Sequence, residues 1–215
     1  MKKKQRHGAL ALLEFNTVAS GVLASDLMVK RSPIALLRCG TIHPGRYLCL
    51  IGGSVASTEE AYATGIEFGD SQGSLGDRVF LGDVHPYLHD AVLGARQDLA
   101  GDALGVIETR SSPALLGAVD AAIKSTPVML GEVRLGDDLG GHALALLGGD
   151  LHDVEIALEI CADRVGEQLL DCTLLPRLDS GLRKLLDGGT RFGPCPAFEP
   201  EGAEYPEEVA CAWDG

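Results

Sequence analysis

The stretch Asp26-Leu-Met-Val-Lys30-Arg-Ser-Pro33 returns later in the chain as Asp120-Ala-Ala-Ile-Lys124-Ser-Thr-Pro127, at a constant offset of 94 residues. The apolar run before it returns at the same offset, as Ala11-Leu-Leu-Glu14 and then Gly105-Val-Ile-Glu108. A repeat of this length corresponds to a whole small domain, because the units of solenoid proteins span only about 20 to 50 residues. The sequence therefore predicts a tandem duplication.

Within each repeat, the apolar pattern predicts the order strand, helix, strand, strand, helix, strand. This is the split βαβ order of the ferredoxin-like architecture, an α+β sandwich with both helices on one face of an antiparallel sheet. The predicted strands are 9–15, 34–37, 47–51 and 79–81, then 104–108, 128–135, 143–147 and 172–175. The predicted helix caps are Ser20, Ser57 and Ser112, and the second helix of the second repeat is predicted to begin at Asp153. Short helices within 85–97 and 180–186 are expected to cover the other face of each sheet.

Composition divides the chain into four segments. Residues 1–8 form a basic tail, 9–98 and 104–187 form the two domains, and 188–215 form an acidic extension rich in proline and glycine. The extension contains six acidic residues and one arginine, so we expect no packed core there. Two domains of roughly 90 residues each bury modest cores, which favours packing against neighbouring chains.

The charge and the cysteines exclude several protein classes. A formal net charge of −13 argues against nucleic-acid binding, which requires clustered lysine and arginine. No apolar run approaches the ~18 residues of a membrane span, and the basic start runs into Glu14 without a signal-peptide core. We therefore expect a cytoplasmic protein. The six cysteines form no Cys-x-x-Cys pair, and Cys49, Cys161 and Cys172 are predicted to be core residues.

The two Asp-x-x-x-Lys-x-x-Pro segments, each followed by an apolar strand, a glycine-rich hairpin and a Gly-Gly pair, resemble bacterial microcompartment shell proteins. The resemblance covers residues 9–187, and Gly-Gly precedes Ser54-Val55 in one repeat and Asp150-Leu151 in the other. Neither repeat is circularly permuted, so the chain is most similar to the tandem-domain, trimer-forming subclass (BMC-T). This implies a structural protein rather than an enzyme: a homotrimeric, pseudo-hexameric disc that tiles with hexameric and pentameric shell proteins. Encapsulated enzymes are candidate further partners.

The resemblance also implies roles for particular positions. Lys30 and Lys124 match the lysines at the edge of the family's tiles. The hairpin loops match those that line a central pore, where each loop occurs three times around the axis of the trimer. The implied pore-lining residues are Thr41, Ile42, His43, Pro44, Gly45, Gly136, Asp137, Asp138, Leu139 and Gly140. Such a pore passes metabolites or electrons.

His43 raises the question of a cofactor. In a related shell protein, a cysteine just before this Pro-Gly supplies thiolates to a [4Fe–4S] cluster on the axis. Here the residue is histidine, which departs from the cysteine ligation of such clusters, and Cys39 aligns with a different position. Three His43 imidazoles can instead bind zinc, copper, nickel or iron. The plain alternative is a metal-free pore whose histidines tune passage.

Two further polar groups have alternative interpretations. Asp137 and Asp138 in three copies would give a pore mouth that disfavours anions, or they are solvated residues of a turn. His85 and His89 have the spacing of metal ligands on a helix, with Asp83 and Asp90 nearby. Pro86 lies between them, so we interpret them as surface polar residues.

Three functions are consistent with these patterns. The leading hypothesis is a structural shell tile with a central pore. The second is a tile that carries a metal ion or an Fe–S cluster through His43. The third abandons the shell and treats the tandem ferredoxin-like domains as a regulatory module that binds a small molecule. No phosphate-cradling loop, nucleotide fingerprint or hydrolase motif occurs in the sequence.

Overall fold

The computed structural model of the chain describes residues 6–136, 138–198 and 200. It contains two compact units, Met1–Leu178 and Asp179–Gly215. The first unit holds both repeats and the second begins with a short helix. Asp137 of the predicted pore loop, and 201–215 of the predicted extension, lie outside the described residues.

The secondary structure of the first repeat follows the predicted order. Its elements are β1 (Ala9–Phe15), α1 (Val18–Arg31), β2 (Leu36–Ile42), β3 (Arg46–Gly53), α2 (Val55–Ser71) and β4 (Leu75–Leu81), followed by α3 (Pro86–Val92). The second repeat contains β5 (Ala103–Thr109), α4 (Ser112–Ser125), β6 (Met129–Leu135), β7 (Ala143–Gly149), α5 (Leu151–Val165) and β8 (Leu169–Leu175). A 3₁₀ turn, Gly166–Gln168, precedes β8, and α6 (Ser180–Gly188) opens the second compact unit.

Each repeat forms one four-stranded antiparallel sheet. The strand orders are β2-β3-β1-β4 and β6-β7-β5-β8, so the first strand of each repeat lies inside its sheet. Leu10 pairs with Leu81 in the first sheet and Leu104 pairs with Leu175 in the second, which keeps the offset of 94 residues on both strands. The β1–β4 and β5–β8 pairs therefore share one register, whereas β6–β7 has a register shift between Leu130 and Glu132 that β2–β3 lacks. The α+β plan predicted from the repeat is confirmed.

The helices begin earlier than predicted. Thr17 caps α1 and accepts a hydrogen bond from the Ser20 N–H (3.4 Å), while Ser54 caps α2 and accepts from the Ser57 N–H (3.2 Å). Ser20 and Ser57 are therefore the capped residues of the first turn and not the caps. The predicted cap Ser112 and the predicted helix start at Asp153 are corrected likewise, because α4 is capped by Ser111 and α5 begins at Leu151, after Asp150.

The outer strands are longer or begin elsewhere than their apolar runs. Strand β2 extends from Leu36 to Ile42, β4 begins at Leu75 and β8 begins at Leu169. These strands lie at sheet edges, where alternate residues face solvent and can be polar. A search for continuous apolar residues therefore finds only part of β2, β4 and β8, whereas it finds the whole of the edge strand β6.

The first sheet is covered on both faces. Leu13, Phe15 and Ile51 on one face pack with α1 and α2 in a core that includes Met28 and Ala61. On the other face, Leu10, Leu12 and Leu50 share a core with Leu88, Ala91 and Val92 of α3, and this core continues into the second repeat. Each fully buried leucine contributes roughly 1.5–3 kcal/mol. Helix α4 of the second repeat contacts β1 and β4, whereas α3 contacts β6 and α4 of the second repeat. This face of the first sheet is therefore covered chiefly by α4 and not, as predicted, by the helix after β4, and the two domains share one hydrophobic core.

Candidate functional site

The first hairpin loop is shorter than the sequence suggests. Thr41 and Ile42 belong to strand β2, the Ile42 side chain is buried, and the exposed His43 and Pro44 form the turn before Gly45. The His43–Pro44 peptide bond is cis, and the Gly45 N–H donates to the Ile42 carbonyl at 3.0 Å. A cis proline at the third position of a four-residue turn defines a type VI turn. This turn places the His43 imidazole in solvent at the tip of the hairpin.

The second hairpin loop is held open by left-handed backbone. Gly136, Asp138, Gly140 and Gly141 all have positive φ angles, between 59° and 84°. The loop closes through the Gly136 N–H, which donates to the His142 carbonyl at 3.0 Å. Aspartate tolerates the left-handed conformation better than most residues. Asp138 and Gly140 are exposed, and Leu139 between them is half-buried.

The two loops lie against each other within one chain. A Cβ atom at Gly136 would lie 2.7 Å from Ile42 Cδ1, and one at Gly141 would lie 2.4 Å from the His43 carbonyl oxygen. Real Cβ atoms do not approach other atoms so closely, so both positions require glycine. The structure thus brings the hairpin of the first domain and that of the second to one place on the molecule.

A buried carboxylate joins the domains beside these loops. Glu14, 2% exposed, forms an ion pair with Arg46 and also accepts a hydrogen bond from the Ser112 N–H at the start of α4 (3.3 Å). Arg46 in turn lies 3.5 Å from the Arg110 carbonyl. Burial raises the pKa of Glu14, and Arg46 and the Ser112 N–H oppose that shift. The first domain therefore supplies the charge that satisfies the N-terminus of a helix in the second.

Strand β4 of the first domain packs against helix α4 of the second. The Ser111 hydroxyl donates a hydrogen bond to Asp77, and a methyl group at Gly117 would lie 3.4 Å from Val79 Cγ2. Leu116 and Ile123 of α4 are buried at 1% and 5% exposure. Helix α4 is thus enclosed between its own sheet and the neighbouring domain.

Helix α1 is the equivalent of α4, and its outer face is open. Val22 corresponds to Leu116 and is 51% exposed, while Val29 corresponds to Ile123 and is 46% exposed. Val18 and Leu23 on the same helix are also exposed. Among the described residues, no segment covers α1 in the way that β4 covers α4.

The equivalent strand of the second domain is open as well. Asp171 and Thr173 of β8, at the positions of Asp77 and Val79, are exposed, and Leu175 is half-buried. On the opposite face of β8, an apolar groove of about 250 Å³ lies between this strand and α5, lined by Glu155, Leu158, Glu159, Ala162, Cys172 and Leu174. The first domain has a Tyr62–Phe80 ring contact at the positions of Leu158 and Leu174, 5.5 Å between ring centroids. The smaller leucines leave that space open.

The two predicted edge lysines have different surroundings. Lys30 forms an ion pair with Asp26 at 2.6 Å, and its side chain is 70% exposed. Lys124 forms the equivalent pair with Asp120 at 2.6 Å and also donates to the Asp83 carbonyl. Asp120 is buried, and it also accepts a hydrogen bond from the His85 N–H at 2.8 Å. Lys30 is therefore the more exposed of the two lysines.

The cysteines do not fit an iron–sulfur cluster at the first loop. His43-Pro44-Gly45 contains no thiol. Cys39 lies on β2, where its sulfur accepts a hydrogen bond from the Tyr47 hydroxyl and so raises the pKa of Tyr47 to about 12. Burial raises the pKa of Cys49 and of Cys161 to about 12, which keeps both as thiols in the core, as predicted. No group of three histidine, cysteine or acidic side chains that suits a metal ion occurs within the described part of a single chain.

His89 corrects one prediction from the sequence. It is 1% exposed and not a surface residue: its Nε2 accepts the His7 N–H (3.2 Å) and faces His7 Nδ1 (3.0 Å). Its Nδ1 lies 3.1 Å from Asp90. Pro86 begins α3 instead of interrupting it, so His89 lies beside the buried stripe of that helix. His85, in contrast, caps α3 through its ring and is only partly buried.

No helix among the described residues is long and apolar enough to cross a membrane.

The comparisons with known proteins agree with the duplicated architecture. The BMC domain family matches twice, over residues 9–81 and 103–178. The chain is 31% identical to the bacterial microcompartment shell protein PduT of Citrobacter freundii over 183 residues, which cover 84% of this chain and 98% of that protein. It is 28% identical to the carboxysome assembly protein CcmO of Synechocystis sp. over 85% of this chain and 65% of that protein.

A solved structure has the same fold. A microcompartment protein from Desulfitobacterium hafniense DCB superimposes with a TM-score of 0.71 at 32% identity, over 82% of this chain and 98% of that one. The two matched domains, the relative of similar length and the common fold agree with the resemblance inferred from the sequence motifs. The chain therefore belongs to the bacterial microcompartment shell proteins, as a member with two tandem BMC domains.

Proposed function

We propose that three copies of this chain form a closed ring with six BMC domains, which serves as a tile of the shell. Its edge, with Lys30 and Lys124, meets neighbouring shell proteins, and its centre is a pore. The role is structural and permeation-controlling rather than catalytic. Membership of the shell protein family supports this assignment, as does the similarity to PduT over nearly its whole length.

The observation that carries the pore is the contact between the two hairpin loops. Ile42 packs at Gly136, and the His43 carbonyl lies at Gly141, so a single chain presents both loops at one place. A ring with that place toward its axis surrounds the axis with three copies of each loop. Exposed His43 and Asp138, together with Asp137, then define the charge of the opening.

The carboxylates give the pore its expected selectivity. Six aspartates around one opening repel anions and favour cations or neutral polar solutes, because charges near a narrow pore are weakly screened. The His43 imidazoles add a ring of groups that can donate or accept hydrogen bonds. Small neutral or cationic metabolites are therefore the proposed permeants.

Two measurements test this function. Native mass spectrometry of the purified chain is expected to give the mass of three copies, and a monomer at micromolar concentration contradicts the ring. For the pore, shells reconstituted with wild type or with D137N/D138N are compared for entry of an anionic and a neutral dye of equal size. The anionic dye is expected to enter faster through the variant, and equal rates contradict the proposed selectivity.

A further inference from the structure

We propose that the groove between α5 and β8 binds a small aromatic amine, in which one ring is joined by a short chain to an ammonium group. The groove has a volume of about 250 Å³, and leucine, alanine and cysteine side chains form most of its lining. The inference goes beyond the proposed function, because the site belongs to a single chain and requires neither the ring nor the pore.

The groove exists because the second domain has smaller side chains than the first at four equivalent positions. The equivalence follows from the helix starts, Val55 and Leu151, which both follow a Gly-Gly pair and one further residue, and from the common register of β4 and β8. From the first domain to the second, the replacements are Tyr62 by Leu158, Ile66 by Ala162, Arg78 by Cys172 and Phe80 by Leu174. All four of the smaller residues line the groove.

The first domain shows which chemical groups fill this space. The rings of Tyr62 and Phe80 are in contact, with 5.5 Å between their centroids. Burial raises the pKa of Tyr62 and the charge of Arg78 opposes that shift, so the guanidinium lies near the ring. Arg78 also forms an ion pair with Asp70 at 3.4 Å. Two aromatic rings and one positive charge therefore occupy, in the first domain, the place that the second domain leaves open.

Carboxylates at the rim of the groove favour a cationic ligand. Glu155 and Glu159 lie one turn apart on α5, and both are exposed. Like charges at this spacing destabilise a helix, and a cation between them relieves the repulsion. Glu155 has a counterpart in Glu59, whereas Glu159 replaces Ala63. The second domain has thus lost the arginine and gained a carboxylate, which reverses the charge of the site.

The depth of the groove limits the size of the ligand. Leu158, 6% exposed, forms its floor, and the half-buried Cys172 and Leu174 form the side along β8. Its volume is smaller than the roughly 300–1,000 Å³ of typical ligand pockets, so it admits about one ring. A ring packed on the two leucines leaves water, and a short chain brings its ammonium group to the carboxylates.

The groove lies on the face of β8 that the contact between the domains does not use. On β4, Asp77 and Val79 face α4, because Asp77 accepts a hydrogen bond from Ser111 and Val79 lies beside Gly117. Successive side chains point to opposite faces of a strand, so Arg78 and Phe80 face away from α4. Their equivalents in β8 are the residues that line the groove.

Binding of phenethylamine to the full chain tests the site. Saturation-transfer NMR at neutral pH is expected to detect its ring protons with a millimolar dissociation constant, because so small a ligand supports only weak binding. Phenethyl alcohol, which is neutral, is expected to bind about threefold to tenfold more weakly, and the anion hydrocinnamate is expected to give no signal. Absence of phenethylamine binding, or equal binding of all three compounds, overturns the proposal.

A charge variant tests the carboxylates. Glu155→Gln/Glu159→Gln is expected to bind phenethylamine and phenethyl alcohol equally, because the apolar part of the groove is unchanged. Glu59→Gln is the matched control, since Glu59 is exposed at the equivalent position of the first domain. It is expected to keep the preference for the amine. A preference that survives in the double variant contradicts the role of the two glutamates.

Residues of the first domain can be used to fill the groove. Leu158→Tyr/Leu174→Phe is expected to abolish the signal by occupying the space with rings. Cys172→Arg is expected to abolish it by placing a cation beside the carboxylates, and it leaves both leucines in place. Cys39→Arg is the matched control, because Cys39 is exposed on β2. With a far-ultraviolet circular dichroism spectrum like that of wild type, a variant of the groove that still binds phenethylamine overturns the assignment.

The Cys172 thiol gives an independent readout in the unmodified sequence. Its reaction with methyl methanethiosulfonate is followed by mass spectrometry of peptides, with and without phenethylamine. The amine is expected to slow the reaction in proportion to the occupancy of the groove. The exposed Cys39 and Cys195 are internal controls whose rates are expected to stay constant. An unchanged rate at Cys172 in saturating amine contradicts binding at this groove.

Discussion

Val22 and Leu116 occupy equivalent positions in the two repeats, yet Val22 is 51% exposed and Leu116 is 1% exposed. The helices have the same length and follow the same strand, so the difference comes from their neighbours. Strand β4 covers α4, and no described segment of the chain covers the same face of α1. The exposed fractions at equivalent positions thus distinguish a helix face that the neighbouring domain covers from one that the described residues leave exposed.

Removing Glu14 is expected to destabilise the contact between the domains. Glu14→Ala leaves Arg46 without its carboxylate and the first N–H of α4 without its acceptor, which costs about 3 kcal/mol for a buried pair. Urea unfolding followed by circular dichroism measures the loss. Glu108→Ala, at the equivalent position of the second domain, is the matched control and is expected to cost less than about 1 kcal/mol in the single chain. Equal costs for the two variants contradict the asymmetry.

Two glycine substitutions separate backbone strain from loop contact. Gly45→Ala introduces a side chain at positive φ in open space and is expected to cost about 1–2 kcal/mol. Gly136→Ala has similar strain and also collides with Ile42, so we expect a further 1–3 kcal/mol, roughly the cost of overpacking. Thermal or urea unfolding checks the difference. Similar costs would show that the loops separate readily.

His43 predicts a metal stoichiometry. In the metal-binding alternative, three imidazoles on the axis of the proposed ring hold one zinc, copper, nickel or iron ion per ring and leave a coordination position open, whereas a plain pore holds no stoichiometric metal. Elemental analysis after equilibrium dialysis against the metal measures the ratio, and His43→Ala is expected to abolish it. His142→Ala is the control, because it removes a half-buried histidine near the second loop. Acid-labile sulfide is expected to be absent, and a metal-free wild-type ring contradicts the site.

The contact of His7 with α3 predicts a pH dependence. Burial, with a smaller effect from His89, lowers the pKa of His7 below its ordinary value of 6.5. The unfolded chain therefore binds the proton more tightly, and the contribution of His7 is fully present above about pH 6.5. It is lost as the pH falls through the lower folded value. The protection factors of the amide hydrogens of residues 6–9, which are corrected for the intrinsic exchange rate at each pH, are expected to fall on acidification in wild type.

A variant isolates this dependence from the rest of the molecule. In His7→Ala, the protection factors of the same segment are expected to be low at both neutral and mildly acidic pH. His43→Ala serves as the control, because His43 is exposed and belongs to the first hairpin loop. Identical pH profiles of wild type and His7→Ala contradict a role for this histidine.

Most of the fold is predictable from the sequence repeat, because Asp-x-x-x-Lys-x-x-Pro and the apolar strands are local patterns with fixed spacing. The sequence alone misplaces the start of α1, because a hydroxyl residue occupies both the cap, Thr17, and the first turn, Ser20. Either residue satisfies the local rule, and the end of the preceding strand decides between them. Edge strands were cut short because their polar residues interrupt the apolar run.

The site was only partly predictable. The two hairpins were identified from the family resemblance, but the packing of Ile42 on Gly136 depends on how the domains dock. The burial of His89 depends on His7, which lies 82 residues away in sequence. The apolar spacing of Leu88, Ala91 and Val92 does indicate which face of α3 is buried, and that signal places His89 next to the buried face.

The two hairpins differ in length and chemistry although they belong to equivalent domains. An assembly of six separate, identical domains must repeat every substitution six times around its centre. With both hairpins on one polypeptide, a substitution in the His43 turn enters the proposed ring three times and leaves the glycine-rich loop unchanged. Gene fusion thus halves the symmetry of the opening, so one hairpin can change its chemistry while the other keeps the fit between neighbouring domains.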